Sequence, residues 1–260
     1  MSTIADVPIT LVDIGSSGGI APQWEAVRNL TVVEFEPDDR APLRPLRSDV
    51  KRVVLRTPLW ERAGTMDFHL TAKQQASSLF LPNQEIFDRY PSPERVATQR
   101  TMQIKVDTLA NQLNDAGIDR VDFIKLDAQG AELNILRGSE DLLLRSVVGL
   151  EIEVEFLPLY HGQPLFGEVD EYVRSLGYEL FELRPTQWKY AEGAGMKSRG
   201  QLAFADALYF RTFDSMDWND ADAARKLLAF IRIAELHERA DFAAHLIAQG
   251  KRAGLIRQAA

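Results

Sequence analysis

The chain has no cysteine and only four histidines among its 260 residues. Disulfides, thiolate zinc sites and a cysteine nucleophile are therefore excluded. A cysteine-free chain suits any compartment, and the cytoplasm is the simplest expectation. Long hydrophobic runs are missing as well: no stretch approaches the roughly 20 apolar residues of a membrane span. The opening "MSTIADVPIT" carries neither the basic start nor the apolar centre of a secretory signal, so export by that route is not expected. Positive charge is scarce, with 30 Lys and Arg against 38 Asp and Glu and a net charge of −8. A general nucleic-acid binder needs a basic surface to release counterions, so nucleic acid is not an expected partner. Two phosphate-binding patterns are also absent. There is no G-x-x-x-x-G-K-[ST] loop, and Ser17 stands where G-x-G-x-x-G would place its second glycine.

What remains is an ordinary globular composition, 45% hydrophobic and 26% charged, on a chain long enough for one sizeable core. Strand-like runs stand at "ITLVDIG" (9–15), "LTVVEFEP" (30–37), "VKRVVLRTPLW" (50–60), "VDFIKLDAQG" (121–130) and "VVGLEIEVEF" (147–156). Helical spacing of apolar residues marks "APQWEAVRNL", "AELNILRGSEDLLLR" and "GEVDEYVRSLGYEL". Continuous apolar strands alternating with helices predict an α/β fold, a mostly parallel sheet covered on both faces. "YELFELRP" and "LAFADALYFR" then predict an antiparallel finish. Between about 60 and 105 the pattern is irregular. "AGTMDFHLT" reads as a turn and a strand, and the long polar "AKQQASSLFLPNQEIFDRYPSPER" as a functional loop. From about Asp217 the composition changes, dividing the chain into a domain over 1–215 and a helical extension over 216–260. Two helices are expected there, with Asp241 capping the second. Their apolar faces need either the parent domain or a second copy of the chain, so a homo-oligomer through these helices is one expectation.

Open α/β sheets bind ligands beyond the carboxyl ends of their strands. Gly15, Gly18 and Gly19 sit at such an end in "LVDIGSSGGIAPQW", and Glu36 ends the second strand about twenty residues on, where an acid can accept hydrogen bonds from ribose hydroxyls. The alternative is a glycine turn beside a solvated carboxylate. Taken together the two features favour a nucleoside. The D-x-G-x-x-x-G form, Asp13 to Gly19, suits a ligand without a pyrophosphate, for which S-adenosylmethionine is the obvious candidate. Asp13, Gly15, Ser16, Gly19 and Glu36 are the expected contacts. Trp60 would stack on adenine or belong to the core. Ser77 and Ser78 would offer hydroxyls from the "QQASSLF" loop or simply be solvated.

In "VDFIKLDAQGAELNILRGSEDLL" a lysine and an aspartate interrupt a strand that should be buried, a costly arrangement unless the charges are paired or sit at its open end. By themselves these residues read first as a helix cap at Asp127 and a structural ion pair of Lys125 with Asp127 or Glu153. Glu151, Glu153 and Glu155 alternate and so share a face. A divalent metal bridging Asp127 and Glu153 is a lesser option. His161, in "YHGQPLF", is either a surface residue or a base. Tyr160, Phe166 and Trp188 could wall a second ligand, core packing being the alternative for Phe166.

This segment resembles the signature of the FkbM family of S-adenosylmethionine-dependent methyltransferases, a lysine-and-aspartate strand end, a glycine and a following "AE…LRG" helix. "LVDIGSSGG", "VVEFEPDD", "SSLF", "VDTLANQL" and "LEIEVEFLPLY" are similar to family motifs in the same order, over about 9–212. Gln129 and Ser17 depart from the pattern, where the family usually has glutamate and asparagine. The resemblance implies a doubly wound, mostly parallel seven-stranded sheet of the Rossmann-like class I methyltransferase type. It also implies methyl transfer from S-adenosylmethionine to a hydroxyl of a sugar, glycan or natural product. Asp127, Lys125, Glu153 and His161 are then the candidates on the acceptor side. A non-catalytic cofactor-binding or scaffolding protein, or an NAD-dependent oxidoreductase, are the alternatives.

Overall fold

The computed structural model describes residues 6–16, 19–38, 40 and 44–256. Ser17 and Gly18 lie outside the described residues. In chain order the elements are β1 (Ile9–Ile14), α1 (Pro22–Glu25), β2 (Leu30–Phe35), β3 (Lys51–Leu55), β4 (Gly64–Thr71), α2 (Gln84–Phe87), β5 (Thr98–Val106), α3 (Leu109–Asp115) and β6 (Phe123–Leu126). They continue with α4 (Glu132–Arg137), α5 (Glu140–Arg145), β7 (Gly149–Glu155), α6 (Phe166–Ser175), β8 (Tyr178–Trp188), β9 (Gln201–Arg211), α7 (Ala223–Leu236) and α8 (Ala240–Arg252).

Seven strands form one sheet in the order β3-β2-β1-β6-β7-β9-β8. The first five pair in parallel, and β9 enters antiparallel between β7 and β8. The order reverses after β1, because the chain builds outward to β3 and then returns to place β6 on the other side. A crevice opens at that reversal. The predicted doubly wound sheet with its antiparallel finish is the fold observed.

Alternation along β1 shows why both faces must be covered. Val12 and Ile14 join a core with Leu133, Ile135, Leu143 and Val173 from α4, α5 and α6. Ile9 and Leu11 face the opposite way, into a core with Phe123, Phe210, Leu227, Phe230 and Ile231. The second core depends on the C-terminal helices. The helical segment expected at "APQWEAVRNL" is the single turn α1, and no helix stands between β2 and β3 among the described residues, so α7 and α8 supply the missing layer. Their apolar faces are buried on the chain's own sheet: Leu227, Phe230, Ile231, Ile233 and Leu246 are fully enclosed. Each such side chain contributes about 1.5–3 kcal/mol of burial. Asp122, wholly buried at the start of β6, fastens this layer by accepting Arg225 Nη1 at 2.7 Å and the Thr10 N–H at 2.9 Å. Asp241 does not cap α8. It lies in the first turn, and Arg239 holds the cap position without a side-chain bond.

The irregular stretch contains more order than its sequence suggests. β4 pairs antiparallel with β5, a strand that the polar residues of "TQRTMQIKV" conceal. Ser78 and His69 exchange backbone hydrogen bonds of 3.2 and 2.8 Å, which ties the "QQASSLF" loop to this hairpin.

Candidate functional site

Strand register explains how distant residues meet. Ile14 is opposite Phe35 and Leu126, and Leu126 is opposite Ile152. Gly15, Glu36, Asp127 and Glu153 each follow one of these residues and therefore stand level along the open edge of the sheet. The preceding row is charged throughout: Glu34, Asp13, Lys125 and Glu151 are neighbours on adjacent strands. Each charge in it is paired, Glu34 with Arg52, Asp13 with Lys125 at 3.8 Å, and Glu151 with Arg184 at 2.9 Å. Glu151 thus escapes the repulsion expected among the three alternating glutamates.

The glycine at 15 has a local cause. Its φ is +79°, and a Cβ there would lie 2.0 Å from the Asp127 carbonyl oxygen. Only glycine lets the ends of β1 and β6 approach so closely. Gly19, with φ +74°, packs against the Arg44 side chain.

Beyond this edge lies a cleft of about 810 Å³, open solvent at its mouth included. Gly15, Glu36 and Asp127 line it, with Phe35, Leu59, Phe68, Leu79 and Ile135 supplying apolar wall. Glu36 is 6% exposed. Its Oε1 accepts the Asp38 N–H at 3.0 Å, and no described residue donates to Oε2. Burial raises its pKa. Beneath the edge, Asp13 Oδ1 and Ser16 Oγ are buried polar atoms with no hydrogen-bond partner among the described residues. Burial pushes Asp13 up to about 6, although Lys125 opposes the shift. Such atoms are costly unless something bonds to them. Two buried acceptors below an acid-edged, partly apolar cleft fit a nucleoside with a polar extension.

A second chamber of about 790 Å³, open solvent at its mouth included, shares Gln75, Asp127 and Gln129 with the first. Glu153, Phe87, Tyr160, Trp188 and Phe204 line it, with Lys73 and Arg95. Gln129 is the hub between the two. Its backbone is left-handed at φ +55°. Nε2 donates to Asp127 Oδ1 at 2.7 Å and to Glu153 Oε1 at 2.9 Å, while Oε1 accepts the Tyr160 hydroxyl at 2.7 Å. Two carboxylates can only be bridged by the donor end of the amide, which fixes its orientation. The amide occupies the place where a metal would have to bridge Asp127 and Glu153. Among the described residues no group of three or more His, Cys, Asp or Glu side chains is arranged to hold a metal ion.

Carboxylates accumulate around this hub. Burial and the neighbouring Asp127 push Glu132 up to about 7. Burial, then Asp127 and Glu132, raise Glu153 well above the ordinary carboxylate range. Glu155 rises too, chiefly through burial and then Glu132, and its Oε1 has no hydrogen-bond partner among the described residues. Burial works against the charge on Lys125. Asp127, at 3.2 Å, and Asp13 outweigh it and hold the lysine protonated.

Four expected site residues lie elsewhere or are already engaged. Trp60 packs on Phe80, centroids 5.6 Å apart, and lines neither chamber. His161 is exposed in a turn, its N–H bonded to the Leu81 carbonyl, and also lines neither. Phe166 packs on Phe156. Ser78 borders the cleft, but its hydroxyl donates to the Gln129 carbonyl at 2.7 Å and accepts the Phe80 N–H. It therefore holds the hub's backbone. Sequence reading missed the hub itself, together with Glu132, Phe87, Arg95 and Phe204. The departure from the family pattern at Gln129 was the one signal pointing there.

Among the described residues no helix is long and apolar enough to cross a membrane. No curated protein is similar in sequence. Among solved structures, the chain is similar to methyltransferase FkbM from Methylobacillus flagellatus KT, at 18% identity and a TM-score of 0.43. That likeness covers 79% of this chain and 44% of the other, so this chain spans less than half of that protein's length. A SAM-dependent methyltransferase from Anabaena variabilis is similar at 10% identity and a TM-score of 0.35, over 78% of this chain and 77% of the other. The model of the methyltransferase FkbM domain matches residues 24–180, more than half of the sequence, and the chain belongs to that family.

Proposed function

We propose that this methyltransferase-family chain transfers a methyl group from S-adenosylmethionine to a hydroxyl oxygen of a sugar, glycan or natural product. The observation that carries the reading is the meeting of two chambers at Asp127 and Gln129, one edged by Glu36 and the other walled by aromatic rings. When bound, S-adenosylmethionine supplies a methyl already activated on a sulfonium, which leaves alignment and proton removal to the protein.

Glu36 Oε2 would accept from the ribose hydroxyls, and Phe35, Leu59, Phe68 and Leu79 would enclose the adenine. Asp13 and Ser16, each with a buried oxygen that has no hydrogen-bond partner among the described residues, would meet the amino-acid end together with the Gly15 backbone. On the acceptor side Asp127 takes the hydrogen bond of the reacting hydroxyl, fixes its direction and receives its proton as the methyl transfers, with Lys125 paired to it at 3.2 Å. Glu153 stands beside Asp127 on the neighbouring strand, its Oε1 accepting from the same Gln129 amide nitrogen at 2.9 Å. The Gln129 amide holds the two carboxylates in register.

The test is transfer of a labelled methyl from S-adenosylmethionine to a panel of hydroxylated acceptors. Asp127→Asn is expected to lower turnover at least a hundredfold with cofactor affinity preserved. An unchanged rate would remove Asp127 from the reaction.

A further inference from the structure

The second chamber has a polarity that the proposed reaction does not use. Asp127 and Glu153 stand at the sheet edge, whereas Lys73 and Arg95 come from the loops on either side of α2. Their backbones are tied together, the Lys73 amide N–H donating to the Arg95 carbonyl at 2.7 Å, which brings the two residues to one side of the chamber that both line. The Arg95 guanidinium lies over the Trp188 ring, 5.2 Å from its centroid. That stacking holds the planar fork by its face, and its N–H donors lie in the plane at the edges. Among the described residues none accepts a hydrogen bond from the Arg95 or Lys73 side chain, and none forms an ion pair with either. In a chain of net charge −8, these two neighbouring cations without an ion-pair partner among the described residues line an acid-floored chamber.

We propose that the acceptor is a hydroxylated ring carrying an anionic group, a carboxylate or a phosphate, bound by Arg95 and Lys73 while the ring packs on the aromatic wall of Trp188, Tyr160 and Phe87. This rests on the reading of the second chamber as the acceptor site. The anion and the reacting hydroxyl then occupy opposite ends of the ligand, because an anion beside Asp127 and Glu153 would be repelled. Arg95 suits this role, because a guanidinium pre-placed by stacking loses little freedom when it grips a carboxylate or phosphate bidentately. Lys73 adds a mobile point charge. Neutral sugars would find the same wall but offer the two cations no charge.

The experiment titrates the full chain, saturated with S-adenosylhomocysteine, with glucuronate, glucose phosphate and glucose, following ligand resonances by saturation-transfer NMR. Glucuronate, glucose phosphate or both are expected to bind at least tenfold more tightly than glucose, and the one that binds identifies the anion. Arg95→Gln is expected to abolish that preference, and Lys73→Gln to reduce it, with S-adenosylhomocysteine affinity unchanged in both. Equal affinity for all three sugars would overturn the proposal, as would a preference that survives Arg95→Gln. The cofactor arm separates this failure from that of the proposed function. A protein that binds S-adenosylhomocysteine but shows no anion preference loses only the acceptor class. One that binds no S-adenosylhomocysteine, yet prefers anions through Arg95, keeps the anion site and loses the methyl-transfer reading.

Discussion

Gln129→Glu exposes the wiring of the junction between the chambers. The amide nitrogen donates to Asp127 and Glu153 at 2.7 and 2.9 Å, and a glutamate there would set a third carboxylate against two others. A hydrogen bond to an ionised group is worth about 1.5–3 kcal/mol, so the variant with its new carboxylate ionised loses both bonds, roughly 4 kcal/mol. Carboxylates about 3 Å apart do not all ionise together, and the variant would take up a proton and recover one donor, leaving a cost of about 2 kcal/mol. The folded variant therefore binds that proton more tightly than the unfolded chain. Its penalty is smallest below the unfolded glutamate pKa of about 4.3 and grows as pH rises through the raised folded value. At about 2–4 °C per kcal/mol for a chain of this size, scanning calorimetry should find the variant melting roughly 4–8 °C below the native protein at about pH 5 and roughly 8–16 °C below it at about pH 8. A difference that stays flat across this range would refute the bridge between two carboxylates.

Further outcomes follow from the same geometry. Asp13, pushed up to about 6 by burial, holds its proton more tightly when folded, so its contribution is intact below the unfolded pKa and is lost as pH rises through about 6. Asp13→Asn should therefore melt higher than the ligand-free native protein at alkaline pH, by up to about 3 kcal/mol, with the advantage fading in acid. The opposite trend would show that the Lys125 pair dominates. Asp122→Ala removes the partner of Arg225 Nη1 and of the Thr10 N–H while Arg225 keeps its bond to Asp222, and urea titration should show a loss of about 2–3 kcal/mol, against under about 1 if the C-terminal helices are held by apolar contact alone.

Much of the sheet was legible because its strands are continuous apolar runs that stop at a glycine or an acid. Gly15, Glu36 and Asp127 each mark such a stop, and parallel register then sets them level. The site's second half was legible only in part, for a physical reason. Tyr160 and Trp188 were expected as a wall, whereas Phe87, Arg95 and Phe204 come from separate elements, and nothing local in any of them signals a place in it. Trp60 and His161 failed in the opposite direction, as residue types that suit a site but sit where packing on Phe80 or solvent claims them. β5 was hidden by its polar face, which is exposed along most of its length. The tail could be read as two amphipathic helices. Which surface they cover depended on a vacancy in the sheet's second layer, left by the single-turn α1.

The central claim is that the cleft beside Glu36 holds S-adenosylmethionine. Calorimetric titration of the full chain with S-adenosylmethionine, with Glu36→Ala and NAD as controls, tests it most directly. Loss of the ribose hydrogen bonds to a carboxylate should weaken binding by about 1.5–3 kcal/mol, roughly ten- to a hundredfold. Saturable binding by the native protein, weakened to that degree in Glu36→Ala and absent with NAD, is the predicted result. No binding by a well-folded native protein, or equal affinity in the variant, would contradict the account.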